Sequence, residues 1–252
     1  MHRFRIRVGR LLGIPLWIHA SWFLVLGLVV WAVTDEYGVA LPRIPLVERL
    51  AMAAVTGVAF FACLAVHEVA HAVVARRFGV RVRGITLFLL GGVAEIEGEL
   101  PSPGSEFAVA LAGPATSIAI GSTMALLSSG AAALGWSGVE AVAFTLAVVN
   151  LGVAVFNLVP GLPLDGGRIL RAAIWRRTGS FTRATRTASL GGRAVAVCMI
   201  AIGIVSTVTG QPAGLWYVPM GAFIWFMARA SGRAAPPAAD RALALTREGE
   251  AA

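Results

Sequence analysis

The chain has 252 residues, 58% of them hydrophobic and 13% charged, where a soluble domain carries about 25% charged residues. That excludes a water-soluble globular protein and leaves a polytopic membrane protein. The formal net charge of +8 sets 21 arginines, with no lysine, against 13 acidic residues; the arginines follow the membrane segments below, so no nucleic-acid partner is implied.

Residues 1–10 are basic, and the apolar run after them is long enough to span a bilayer, so no cleavable signal is read here. A span needs about 20 apolar residues, and six are predicted, at about 16–34, 50–75, 107–129, 139–159, 191–209 and 213–229. His19 falls early in the first, as a satisfied core histidine, a group behind a metal ligand or an alternative ligand. His2 is terminal and expected to be solvated. Cys63 and Cys198 lie in separate apolar runs and read as small packing residues, not as a disulfide.

The second span closes on His67-Glu68-Val69-Ala70-His71. Two imidazoles at i and i+4 share a helix face and can grip one Zn²⁺, and a Glu between them can serve as general base on a bound water. Ionisable groups inside an apolar span are costly and therefore tend to be functional. The segment 80–100 alternates Val80, Val82, Ile85, Leu87 and Leu89, then passes Gly91-Gly92 into Glu95, Glu97 and Glu99. It reads as a short β-hairpin at the membrane interface or as a plain connecting loop. As a hairpin, its edge at Gly91, Gly92 and Val93 would pair with an extended peptide.

The fourth span carries Asn150 and Asn157 seven residues apart, on one helix face, and ends in Pro160, Gly161, Pro163, Asp165, Gly166 and Gly167. A buried amide must find partners. These two either bond within their own helix, or Asn150 supports the site and Asn157 holds a substrate backbone or an oxyanion. Two roles are likewise open to Asp165: third zinc ligand, or N-cap of a helix over 166–177.

Arginine counts set the orientation. Four lie before the first span, two in the first loop, four in the second, seven from Arg168 to Arg193 and four from Arg229, the end of the last span, onward, which places 19 on one side and two on the other. Both termini are then cytoplasmic. His67 lies about eight residues, or ~12 Å, from the cytoplasmic end of its span, and Asp165 leaves the fourth span at the same side.

Taken together, HEVAH on the second span, Ala112-Gly113-Pro114 as a turn opening the third, and the run from Asn157 through Pro160, Pro163 and Asp165 to Arg168 resemble the site-2 protease family of intramembrane zinc metalloproteases, in its bacterial six-span form without a PDZ domain. The resemblance covers nearly the whole chain. It implies one Zn²⁺ per chain held by His67, His71 and Asp165, Glu68 as catalytic acid/base, and Asn157 in the active site. It also implies a bacterial cell membrane location and a single-span membrane protein as substrate, such as an anti-sigma factor or another membrane-tethered regulator.

The expected fold class is therefore an all-α polytopic membrane protein of six transmembrane helices, with a short membrane-associated β-hairpin between spans 2 and 3. The protease domain would cover 1–230. Relatives often carry a pair of CBS domains after the last span, whereas 231–252 is short, Ala/Pro-rich, charged and expected to be disordered, a regulatory domain being absent or cut away. The alternatives are a catalytically inactive relative or a zinc-transporting membrane protein. A transporter needs a polar path from side to side, and the outer halves of the spans lack His, Asp and Glu apart from Glu140.

Overall fold

The structure is a computed structural model and describes residues 5–88, 91–211 and 214–233; His2 and the tail 234–252 lie outside the described residues. The chain divides into two compact units, Met1–Gly98 with Ala112–Val155, and Glu99–Leu111 with Phe156–Ala252.

The first unit begins with strands β1 (Arg5–Leu11) and β2 (Ile14–His19), followed by helices α1 (Ser21–Ala40) and α2 (Leu46–Arg77), then strands β3 (Arg81–Phe88) and β4 (Gly91–Glu97). It also holds most of α3 (Pro103–Ala133) and α4 (Ser137–Asn157). The strands form one sheet in the order β1-β2-β3-β4, with β2 and β3 parallel and the outer pairs antiparallel. The all-α expectation is thereby corrected: the predicted hairpin is half of a four-stranded sheet. Residues 16–19 are strand, not the start of the first span. Two facts explain the error. The run from Ile14 is broken only by His19 and Ser21 before the first helix, and short apolar runs do not distinguish strand from helix. Arg5-Ile6-Arg7-Val8, by contrast, alternates with strand period, and its turn at Leu12 and Gly13 has φ of +49° and +75°, the two-residue geometry that matches sheet twist.

α2 stops where Arg76 and Arg77 complement the helix C-terminus and Gly79 takes φ +78°. At 32 residues it outlasts the predicted span. It puts His67 ten residues before its last residue, Arg77, about 15 Å along the axis, not the eight residues read from sequence. α3 runs unbroken through Ala112-Gly113-Pro114, so these residues lie within the helix and do not form a turn. Tyr37 ties three helices together: its hydroxyl is 2.9 Å from Thr56 Oγ1 on α2 and donates to Thr145 Oγ1 on α4 at 3.3 Å.

The second unit holds α5 (Asp165–Thr178), α6 (Phe181–Val208) and α7 (Gly214–Ser231), with the first turns of α3 and the end of α4. Gly179 at φ +69° closes α5, and its N–H donates to Trp175 O at 2.8 Å. Ser180 then caps α6, accepting from Arg183 N at 3.2 Å. α6 and α7 pack through small residues, Gly203 facing Gly214 and Val218, and Gly221 facing Ala196 and Ile200.

Large apolar side chains point outward, with Trp31, Leu126 and Val208 all more than 70% exposed, while the interior is rich in fully buried alanine. A soluble monomer rarely exposes so large an apolar surface; in lipid it is the expected arrangement. Among the described residues, five helices, α1, α2, α3, α4 and α6, are long and apolar enough to cross a membrane. α7 is not among them. Its 18 residues reach only about 27 Å, and they include Trp216, Tyr217, Trp225 and Arg229.

Candidate metal centre

His67 and His71 are buried on one face of α2, as their i, i+4 spacing requires. Their rings meet edge to face, and the two Nε2 atoms are 3.2 Å apart. With Zn–N bonds of ~2.0–2.1 Å, that separation subtends about 100° at a shared ion, close to the tetrahedral angle zinc prefers. The opposite nitrogen of His67, Nδ1, is 2.8 Å from Ser117 Oγ on α3. α3 comes this close because residue 113 is glycine. A Cβ there would overlap His71 Nε2 and stand 2.5 Å from His67 Nε2.

Glu68 is half-buried beside the pair and abuts β4, where a Cβ on Gly92 would stand 2.5 Å from Glu68 Cγ. Gly91 takes φ +135°, Gly92 is half-buried, and Val93 is 47% exposed. The sheet therefore brings a glycine backbone directly onto Glu68.

Asp165 is buried and is the first residue of α5. The helix N-cap is Leu164, so Asp165 stands one residue inside the helix and not at the N-cap position considered for it. Its carboxylate is favoured by the helix N-terminus. One ligand-capable atom of each of His67, His71 and Asp165 lies within 4.8 Å of the others, and all three residues are buried. Two imidazoles and a carboxylate are a donor set of catalytic zinc, with the fourth position left for water.

The remaining sequence-predicted residues are placed differently. Asn150 is buried, its Nδ2 donating to Leu146 O at 2.7 Å within its own helix. Asn157 closes α4 and is half-buried. His19 stays at the end of β2, where Nδ1 is 2.8 Å from Ser21 Oγ and accepts from Ser21 N at 3.2 Å; it starts α1 and is not a member of the His67, His71 and Asp165 group. Sequence reasoning missed Ser117 and the contact role of Gly113. Their four-residue spacing on one helix face was the available signal.

In the second unit, Glu106 at the start of α3 is 1% exposed and accepts from Arg171 Nε of α5 at 2.8 Å and from Arg171 Nη2. The same guanidinium lies 4.7 Å over the Phe181 ring. Neither residue figured in the sequence reading.

These features define a multi-pass helical membrane protein with a His-His-carboxylate centre of metallopeptidase type. Residues 55–133 and 120–201 match the model of peptidase family M50. The chain is 41% identical over 234 residues to Rip3 of Mycobacterium tuberculosis, and 38% identical over 241 residues to sll0528 of Synechocystis, both of which carry zinc metalloprotease in their names. These alignments cover 90% and 91% of this chain but 58% and 59% of the relatives, so the chain spans somewhat under three-fifths of their length. The structure resembles the site-2 protease from Methanocaldococcus jannaschii with a TM-score of 0.60 at 25% identity, covering 92% of this chain and 97% of that one. The chain belongs to peptidase family M50, the site-2 proteases.

Proposed function

We propose that the chain is an intramembrane zinc metalloprotease that hydrolyses a peptide bond within or near the transmembrane segment of a single-span membrane protein. The observation that carries this is the convergence of the His67 and His71 Nε2 atoms to 3.2 Å, with Glu68 next to His67 in sequence, in a chain of family M50. His67, His71 and Asp165 would hold one Zn²⁺. When bound, zinc polarises the scissile carbonyl and lowers the pKa of its water towards ~7. Glu68 takes the proton from the attacking water and returns it to the leaving amine. Asn157 is assigned to the oxyanion or the substrate backbone. The edge of β4 at Gly91, Gly92 and Val93 is assigned to holding the unwound substrate extended, because helical carbonyls are tied up in hydrogen bonds.

The arginine distribution supports six spans, α7 being the sixth, with both termini cytoplasmic and the centre in the cytoplasmic half of a bacterial cell membrane. A membrane-tethered regulator such as an anti-sigma factor is the substrate class proposed. The test is cleavage of a single-span substrate, with a Gly/Pro pair weakening its helix, by detergent-purified wild type and Glu68→Gln. Loss of at least ~10²-fold in rate with zinc retained is expected of a missing general base. Equal cutting by both proteins would sink the mechanism.

A further inference from the structure

We infer that Gly191 and Gly192 of α6 form a cradle that positions the loop delivering Asp165, so that two glycines on a helix bearing no ligand set the geometry of the centre. The inference rests on the reading of Asp165 as a ligand. The loop between α4 and α5 lies on α6 backbone to backbone. A Cβ on Gly161 would stand 2.5 Å from Gly192 N and 2.8 Å from Gly191 C. From the other side, a Cβ on Gly191 would stand 2.5 Å from Pro160 O, and one on Gly192 would overlap the Leu162 carbonyl oxygen. The same stretch is pinned by a hydrogen bond, Leu162 N donating to Ala188 O at 3.1 Å, one turn before Gly192.

The first turn of α5 closes on this loop in the same way. A Cβ on Gly166 would overlap Leu158 O, and one on Gly167 would overlap Gly161 C and Leu162 N. Asp165 is thus held between a loop seated on α6 and a helix turn seated on that loop. Two adjacent glycines in a helix interior are destabilising relative to alanine, and the close seating of the loop is what they permit here. A metal ligand must be placed to within about 0.2 Å, which a backbone contact of this kind can enforce.

Gly203, eleven residues further along α6, supplies the control. A Cβ there would stand 2.8 Å from Val218 Cγ2 and 3.0 Å from Gly214 O, so it disturbs α6–α7 packing without meeting the loop. A Cβ on Gly192 would also come within 3.1 Å of Ala228 Cβ on α7, and the comparison subtracts that effect.

The experiment measures zinc affinity by chelator competition, and thermal unfolding with and without EDTA. It uses the full detergent-purified chain as wild type, Gly192→Ala, Gly203→Ala, Asp165→Ala and the Asp165→Ala/Gly192→Ala double variant. Gly192→Ala is expected to weaken zinc about 10- to 100-fold, the range seen when groups supporting a ligand are removed. Gly203→Ala should lower the unfolding temperature and leave affinity unchanged, and Gly192→Ala should add no further loss in the Asp165→Ala background. Wild-type affinity in Gly192→Ala, an equal loss in Gly203→Ala, or an additive loss in the double variant overturns the cradle. Unchanged affinity in Asp165→Ala overturns the ligand reading instead. Should Gly192→Ala fail to fold, Gly191→Ala, with a single close contact at Pro160 O, carries the same test.

Discussion

His67 uses its two nitrogens for different jobs. Nδ1 is 2.8 Å from Ser117 Oγ; with Nε2 on a metal, Nδ1 would carry the proton and donate it to that hydroxyl, because the partner of one imidazole nitrogen fixes the state of the other. Ser117→Ala should therefore weaken zinc by ~10- to 100-fold with little change in fold; chelator competition measures it, and an unaltered dissociation constant would remove Ser117 from the centre. Gly92 makes the complementary prediction. An alanine Cβ 2.5 Å from Glu68 Cγ must push the carboxylate aside. Gly92→Ala should then cut kcat by about 10²-fold, as a misplacement near 1 Å does, while zinc content stays at wild-type level; turnover and metal analysis on the same preparation decide it. His67, Glu68 and His71 were legible because helix geometry makes neighbours of residues i and i+4. Ser117 was not, because it lies 50 residues from its partner and only the packing of α3 on α2 brings them together.

Ion pairs among these elements divide by burial. Glu106 is 1% exposed at its side chain and Arg171 18%, joining the start of α3 to α5. Removing one partner of such a pair strands a buried charge and costs about 3–5 kcal/mol, so Glu106→Ala should markedly lower the unfolding temperature in detergent. Arg83 and Glu97 pair across β3 and β4 with Arg83 71% exposed. The Glu97 hydrogen bond and its charge raise the Arg83 pKa further, so Arg83 stays charged, and solvent screens the pair. Arg83→Ala should leave the unfolding temperature unmoved. Matching shifts in the two variants would contradict the division. Elements were legible from sequence where their pattern is long: α2, α3, α4 and α6 overlap the predicted spans because 20 apolar residues have few other readings. β2 was not, because its pairing with β3 links residues 16–18 to residues 85–87, which no local window contains; β1, paired with β2 across a two-residue turn, carried a local strand pattern that went unread.

At the scale of the whole molecule, membrane crossing links the arginines to the helices. Charge bias orients a chain because moving arginine across a bilayer is costly, so the arginine-poor turn between α6 and α7 should face outward and the arginine-rich β3 inward. Three spans, α3, α4 and α6, separate Arg83 from Gln211, so the two positions must lie on opposite sides if all three cross. α7 alone separates Gln211 from Arg233. Single cysteines at 83, 211 and 233, in a chain whose Cys63 and Cys198 are replaced by alanine, make these relations measurable with a membrane-impermeant thiol reagent. Labelling in intact cells is expected at 211 alone, with 83 and 233 reacting only after permeabilisation. Labelling at both 211 and 233 would mean that α7 lies along the interface, consistent with its 18 residues and its tryptophans, which favour that zone. Labelling at 83 and 233 but not 211 would invert the orientation and move the centre to the outer half, where its substrate would have to be presented from the opposite face.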